Sequence, residues 1–382
     1  MMKKTILIAI ATTLLCSCNK EVDETGNITL PERPISIYTA IQSENTPTVS
    51  PQTRAPITGT DAALEGITFY LWQSTNNTID FSATPSSPSS YTGNRTTNNN
   101  GKISFNEGSQ PVYDQKENKH AFLVGCWPNA TPATPANDNS LTWTINGKTD
   151  ILISDLWCAG TYTTPITGAE SGNTPLTFKH RLAQLEVICK AADGETLNDV
   201  QTTWGNIKSI ELLDAYPQMN YDATTNKITG TGNKTAISLL KADYETGFEP
   251  TAIQDHTTIP PATATAAGMY APSNLIVLRI TTEGATNATD DDDLKQTFAV
   301  QFVDNNTPVD FEAGKKYTVN ILFPSTLDYP KIATTVDSWI PNSETPPSDG
   351  LGGNQGVDAK PGEWDENNPN DTTGDIGKNP TT

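Results

Sequence analysis

The sequence predicts an all-β protein made of antiparallel β-sandwich domains. Apolar residues recur with a period of two far more often than 3.6, and the runs are separated by clusters of Thr, Asn, Gly and Pro that turn the chain and break helices. No window sustains an amphipathic helix beyond two or three turns, so the helical crossovers that a parallel sheet needs are missing and antiparallel pairing follows. With 382 residues and roughly 150 per domain, the chain has room for two to three domains.

Composition narrows the function classes. Acidic residues outnumber Lys and Arg 44 to 24, a net charge of −20, yet only 18% of residues are charged against about 25% in ordinary domains. The polarity therefore comes from uncharged Thr, Asn and Ser. A phosphate backbone requires clustered cations, and the few Lys and Arg here are scattered, which excludes nucleic acid as a partner. At 35% hydrophobic residues, with 26 Gly and 27 Pro, the chain buries a core and is neither collagen-like nor wholly disordered.

The elements follow in order. Lys3 and Lys4 give a positive start, and residues 6–15 form an apolar run too short to span a bilayer permanently, so 1–17 reads as a signal peptide. The run ends in Leu15-Cys16-Ser17-Cys18, which resembles a bacterial lipobox. Cys18, preceded by the small Ser17, is the expected lipidation site. Cys16 is the alternative, although it would put Leu15 where a small side chain is normally needed. Each buried lipid CH₂ contributes about 0.8 kcal/mol, so several acyl chains, palmitate among them, would hold the protein on a membrane. Residues 19–27 form a polar, acidic tether. Next, Ile35, Ile37 and Ile41 alternate with polar or smaller residues, as in a half-buried strand.

Further strands are expected at 66–73, 121–127, 141–145, 176–190, 207–213, 274–282 and 298–303, and at Tyr317, Val319, Ile321 and Phe323. Within 176–190 the large apolar side chains fall at Leu176, Phe178 and Leu182, then switch parity to Leu185, Val187 and Cys189. Such a phase change predicts a bulge, or a crossing between two sheets, near Leu182 and Ala183. The Gly- and Asn-containing stretch 168–175 is the expected boundary between domains at 55–172 and 173–340. Residues 341–382 have almost no apolar side chains and read as a disordered acidic tail.

The search for chemistry yields little. Beyond Cys16 and Cys18, an odd and sparse set of cysteines remains: Cys126, Cys158 and Cys189. All lie in apolar runs, as buried free thiols do; one bridge plus one thiol is the alternative. His120, His180 and His256 have no His or Cys at metal-ligand spacing, so no local metal site is expected. His180, between Phe178 and Leu182, reads as a hydrogen-bonded core histidine. The four aspartates at 290–293 lack the central Gly and final Glu of an EF-hand and read as a solvated hairpin loop. Ile228-Thr-Gly-Thr-Gly-Asn233 has no following Gly-Lys-Ser/Thr and reads as a turn. No Gly-x-Ser-x-Gly elbow is present. Trp72, Trp127, Trp143, Trp157 and Trp204 lie in or beside strands and read as core, though exposed ones would stack on sugars. No cofactor and no catalytic residue is expected.

Five blocks resemble the fimbrillin family, the lipoprotein-derived pilins of type V pili in Gram-negative bacteria. They are Ala121-Phe-Leu-Val-Gly-Cys-Trp-Pro128, Asp155-Leu-Trp-Cys-Ala159, Phe178-Lys-His-Arg-Leu-Ala-Gln-Leu-Glu-Val187, Gly314-Lys-Lys-Tyr-Thr-Val-Asn-Ile321 and Val336-Asp-Ser-Trp339. The resemblance covers roughly residues 55–340. It implies two tandem transthyretin-like β-sandwich domains, no enzymatic activity, and a surface-exposed protein, lipid-anchored in the outer membrane and carried into the fimbrium after processing. It also implies trypsin-like cleavage between Arg54 and Ala55, which sit in an exposed Pro-, Thr- and Ser-rich stretch that suits proteolysis on its own account. Cleavage would free the strand bearing Ile35, Ile37 and Ile41 as a plug, and the vacated edge would take a strand from another pilus subunit. In related pilins that strand is C-terminal. Here 341–382 lacks the alternating apolar residues it needs, so either 331–340 serves or the subunit is not a stalk pilin.

The sequence thus predicts a pilus subunit assembled by strand exchange with a role in adhesion to a host or bacterial surface glycan or protein. The alternative is a monomeric surface lipoprotein that binds glycans. A glycan hydrolase with paired carboxylates ranks third.

Overall fold

The computed structural model describes residues 21–22, 28–29, 31–41, 63–79, 89–96, 101–129, 131–132, 140–166, 176–242, 246–256, 264–273, 276–285, 294–300, 302–304 and 307–338. Cys16, Cys18, Arg54, Ala55, the stretch 168–175, the aspartates at 290–293 and the segment 341–382 lie outside the described residues. The described elements are strands, apart from the eight-residue helix Leu197–Trp204. Thr196 caps that helix by accepting from the Asp199 amide, and Gly205, at φ 66°, ends it. All-β, mostly antiparallel architecture is therefore the architecture of the chain.

The first sheet runs in the order Thr39–Ile41, Leu176–His180, Leu152–Ser154, His120–Trp127, Leu64–Ser74, Ser89–Arg95 and Ile103–Phe105, with Trp157–Gly160 also paired to His120–Trp127. Its central strands are buried on both faces, which is why they read as nearly continuous apolar runs. On one face Ile67, Phe69, Leu71, Leu123 and Leu152 pack around the isoleucines of the N-terminal segment. From the other face Tyr70, Trp72, Phe122, Val124, Cys126 and Ile153 enter a larger core shared with the rest of the chain.

Three further four-stranded sheets contribute to that larger core. One is Ala266–Tyr270, Ala183–Ala191, Lys315–Phe323, Lys331–Ser338; the second is Thr235–Ser238, Ile207–Ala215, Ile276–Thr282, Leu294–Val300; the third is Lys227–Thr231, Gln218–Asp222, Ser140–Thr144, Thr131–Pro132. Two pairs run parallel among the described strands, residues 39–41 with 176–178 and residues 184–191 with 316–323.

At the expected phase change the chain passes from one sheet to another. Leu176 and Phe178 belong to the smaller core, whereas Leu182, Leu185, Val187 and Cys189 belong to the larger. A polar brace holds the crossing. Arg181 donates from Nε to the Ile153 carbonyl at 3.2 Å and from Nη2 to Asp155 at 3.2 Å, and its guanidinium lies 5.7 Å from the centre of the Tyr221 ring. Lys179 pairs with the same aspartate, and Asn226 donates to it at 3.1 Å. Partial burial pushes the Asp155 carboxyl up, but the bonds from Lys179 and Asn226 and the nearby cations outweigh it and hold the group below its usual range.

Leu176–His180, beyond the expected domain boundary, pairs with Leu152–Ser154, and Ser140–Thr144 pairs with Gln218–Asp222. Backbone pairing thus runs across that position.

One expectation is corrected. Residues 228–231 are not a turn but part of the strand Lys227–Thr231, paired to Gln218–Asp222. Gly230 is there because a Cβ would lie 2.2 Å from the Tyr216 ring, so the glycine permits close packing inside a strand. The bend follows at Gly232, where φ is 90°.

The same logic operates at Tyr270. Its ring lies beside Gly147 and Gly268, and a Cβ on Gly268 would come within 2.3 Å of the phenol oxygen. That oxygen is buried without a hydrogen-bond partner among the described residues, and burial raises its pKa. Tyr270→Phe removes an unsatisfied group and leaves the packing, so stability is expected to hold or rise by about 1 kcal/mol. A urea midpoint lowered by the mutation would show that the hydroxyl has a partner.

Candidate functional site

The site is built from residues 31–41. Alternation in this segment is strict: Ile35, Ile37, Thr39 and Ile41 are 2, 1, 4 and 1% exposed, while residues between them are half-buried. The regular ladder covers only Thr39–Ile41, with isolated bridges at Pro34 and Tyr38.

Its backbone is bonded on both sides. On one side the Ile35 amide donates to Pro111 at 2.8 Å, the Ile103 amide to Ile37 at 3.0 Å, and the Thr39 amide to Gly101 at 2.8 Å. On the other, the Leu176 amide donates to Tyr38 at 2.9 Å, and residues 39–41 run parallel to 176–178. Leu176–His180 and Ile103–Phe105 are the strands that would otherwise end the first sheet. The segment therefore joins the two edges of that sheet and closes it.

Side chains secure its ends. Arg33 Nη1 donates to the Tyr162 carbonyl at 2.6 Å, and the Tyr162 hydroxyl donates to the Pro31 carbonyl at 3.1 Å. The Tyr113 amide donates to the Arg33 carbonyl at 3.1 Å, while its hydroxyl donates to Ala159 at 2.8 Å. Burial pushes the Tyr113 phenol up to about 12, against the opposing pull of the Arg33 charge. Further along, Thr39 Oγ1 donates to the Gly101 carbonyl at 3.0 Å. Gly101 has φ 77°, and a Cβ on it would lie 2.0 Å from the Thr39 carbonyl oxygen.

Burial of three isoleucines contributes roughly 1.5–3 kcal/mol each, and ordering the segment costs about 1–2 kcal/mol per residue. The two terms oppose each other, and burial of the isoleucines alone does not cover the ordering cost. The segment is thus held by the balance of its ladder bonds and by its covalent attachment, which keeps it at high effective concentration.

The structure brings Ile35, Ile37 and Ile41 together on one core. Sequence reading missed Thr39, Gly101, Arg33 and Tyr162. For Thr39 a signal existed, because it shares the parity of the isoleucines; Gly101, after a run of asparagines, resembled a loop. The other titratable candidates are structural. His180 Nδ1 is 2.8 Å from the Asp150 carboxylate, with both side chains buried. Cys126 and Cys189 are buried, and burial pushes Cys189 up to about 12; Cys158 is half-buried, and none of the three forms a disulfide among the described residues. Trp72, Trp143 and Trp204 are buried, whereas Trp127 and Trp157 pack partly exposed against the smaller core. Among the described residues no three His, Cys, Asp or Glu side chains come together as a metal-ligand set. No described helix is long and apolar enough to cross a membrane.

Comparison with known proteins gives a sequence match to the fimbrillin-like family over residues 53–339. No curated protein matches the chain in sequence. Among solved structures, a candidate cell adhesion protein of Bacteroides uniformis is similar, at 17% identity and a TM-score of 0.48, covering 80% of this chain and 99% of that one. A fimbrial protein of Bacteroides vulgatus is similar at 14% identity and TM-score 0.44, over 80% of this chain and 99% of the other. The tip fimbrial protein Mfa3 of Porphyromonas gingivalis, with a C-terminal truncation, gives 10% identity and TM-score 0.39, over 80% and 100%.

Proposed function

This chain belongs to the fimbrillin-like family, and on that premise we propose that it is a structural subunit of a cell-surface pilus, joined to its neighbours by strand exchange and contributing to adhesion. The observation that supports this reading is the closing segment: residues 34–41 fill the gap between two sheet edges with an apolar row facing in. Once it departs, two strands present unpaired amides and carbonyls beside empty apolar pockets, and such an edge takes up another strand.

Lipidation at Cys18 holds the precursor in the outer membrane through the same N-terminal segment. Cleavage between Arg54 and Ala55 removes the covalent link. The plug then competes with strands from other pilus subunits as a separate molecule, without its former effective concentration. The two-domain division at 55–172 and 173–340, with transthyretin-like sandwiches, belongs to this proposal. So does the donor. Lys331–Ser338 places Ile332 and Val336 at the same parity with Thr334 between them, but it is already paired with 315–322, so donating it means dissolving that ladder. An acidic 341–382 acts as a spacer. The chemistry needs no catalytic residue and no cofactor.

Limited trypsin digestion tests the reading. The expected result is a cut after Arg54 followed by ladders that resist heat and detergent, both abolished by Arg54→Gln. A chain that is cut yet stays monomeric at high concentration overturns strand exchange.

A further inference from the structure

We infer that the groove holding residues 35–41 selects its strand by a hydroxyl at the Thr39 position as well as by apolar side chains. This rests on the strand-exchange reading where incoming strands are concerned. Thr39 is the polar member of an otherwise isoleucine row, and at 4% exposure it cannot reach water. Its amide and its Oγ1 both donate to one acceptor, the Gly101 carbonyl, at 2.8 and 3.0 Å. A carbonyl has two lone pairs, and here the occupant supplies a donor to each.

The wall at this point is unlike the rest of the groove. Around the isoleucines it consists of side chains such as Ile67, Phe69 and Phe178, which adapt to aliphatic groups of similar size. Opposite Thr39 it is backbone, at a glycine whose φ of 77° and approach to the Thr39 carbonyl leave no room for a Cβ. A backbone wall does not change rotamer. Valine has the shape of threonine but places a methyl against a carbonyl oxygen and leaves one lone pair without its donor. A site built to bond a hydroxyl rejects the analogue lacking it more firmly than an apolar pocket rejects a missing methylene. The favoured occupant is therefore an extended segment of the form apolar-x-apolar-x-Thr/Ser-x-apolar, from a second copy or a related subunit.

The test offers the full chain, nicked after Arg54, fluorescent peptides covering residues 31–41 with Thr, Val, Ser or Ala at position 39. Two near-isosteric comparisons separate the hydroxyl from volume. The Thr peptide is expected to bind about three- to tenfold more tightly than Val, and Ser more tightly than Ala. Val equal to or better than Thr overturns the inference, because that is the order of an apolar pocket. The uncut chain carrying Thr39→Val, Thr39→Ser or Thr39→Ala gives a second readout in amide hydrogen exchange at Ile37 and Ile41. If no peptide enters but the uncut variants keep the order Thr over Val and Ser over Ala, hydroxyl recognition stands for the resident strand and strand exchange falls. If the uncut variants show no such order, the inference falls by itself.

Discussion

Gly101→Ala is expected to dislodge the N-terminal segment. The added Cβ would sit 2.0 Å from the Thr39 carbonyl oxygen, and the obstacle is backbone on both sides. The residue also holds φ 77°, a conformation that costs an L side chain about 1–2 kcal/mol, and overpacking adds about 1–3 kcal/mol. Their combination exceeds what the segment's marginal balance withstands. The strand lifts away from Gly101 and loses both Thr39 bonds. We expect a stability loss of about 2–5 kcal/mol in urea unfolding and rapid proteolysis within residues 31–41. Unchanged stability and protection would mean that the close approach at Gly101 is not what seats the segment.

Ile37→Asp should have an effect at least as large. Ile37 is 1% exposed among aliphatic and aromatic side chains, where a carboxylate loses its hydration. Burying it there costs several kcal/mol, so expelling the segment is the cheaper outcome. The groove then opens without proteolysis. The expected result is self-association of the uncut chain, read by light scattering, with faster amide exchange along Ile103–Phe105 and Leu176–His180. Ser36→Asp, on the half-buried opposite parity, is the control and should remain monomeric. A monomeric Ile37→Asp chain with both edges still protected would contradict the plug reading.

How far the sequence revealed this arrangement depends on what each strand buries. Where one face or both are filled by large aliphatic residues, as at Leu64–Ser74, His120–Trp127 and Lys315–Phe323, the run stood out. Ala266–Tyr270 escaped notice because Ala and Gly fill a core crowded by Tyr270, and Lys227–Thr231 because Gly230 makes way for Tyr216. Ser89–Arg95 is mostly polar and Leu152–Ser154 is too short to show a period. The parity switch near Leu182 and Ala183 was legible, since side-chain direction is local. Closure of the first sheet was not. It depends on strands more than sixty residues apart meeting one short segment, and no local pattern encodes that. Of the predicted site, Ile35, Ile37 and Ile41 were visible as alternation; their hydroxyl neighbour was visible only as parity.

The crossing at Arg181 and Leu182 has a mechanical consequence. The strand lining the groove continues, after two residues, into Ala183–Ala191, which runs parallel to Lys315–Phe323 over eight paired positions. If strand exchange loads the groove as proposed, tension entering there would travel down this covalent path. It would arrive as shear across many ladder bonds at once, rather than peeling them singly. A linkage loaded that way yields only when the whole row gives.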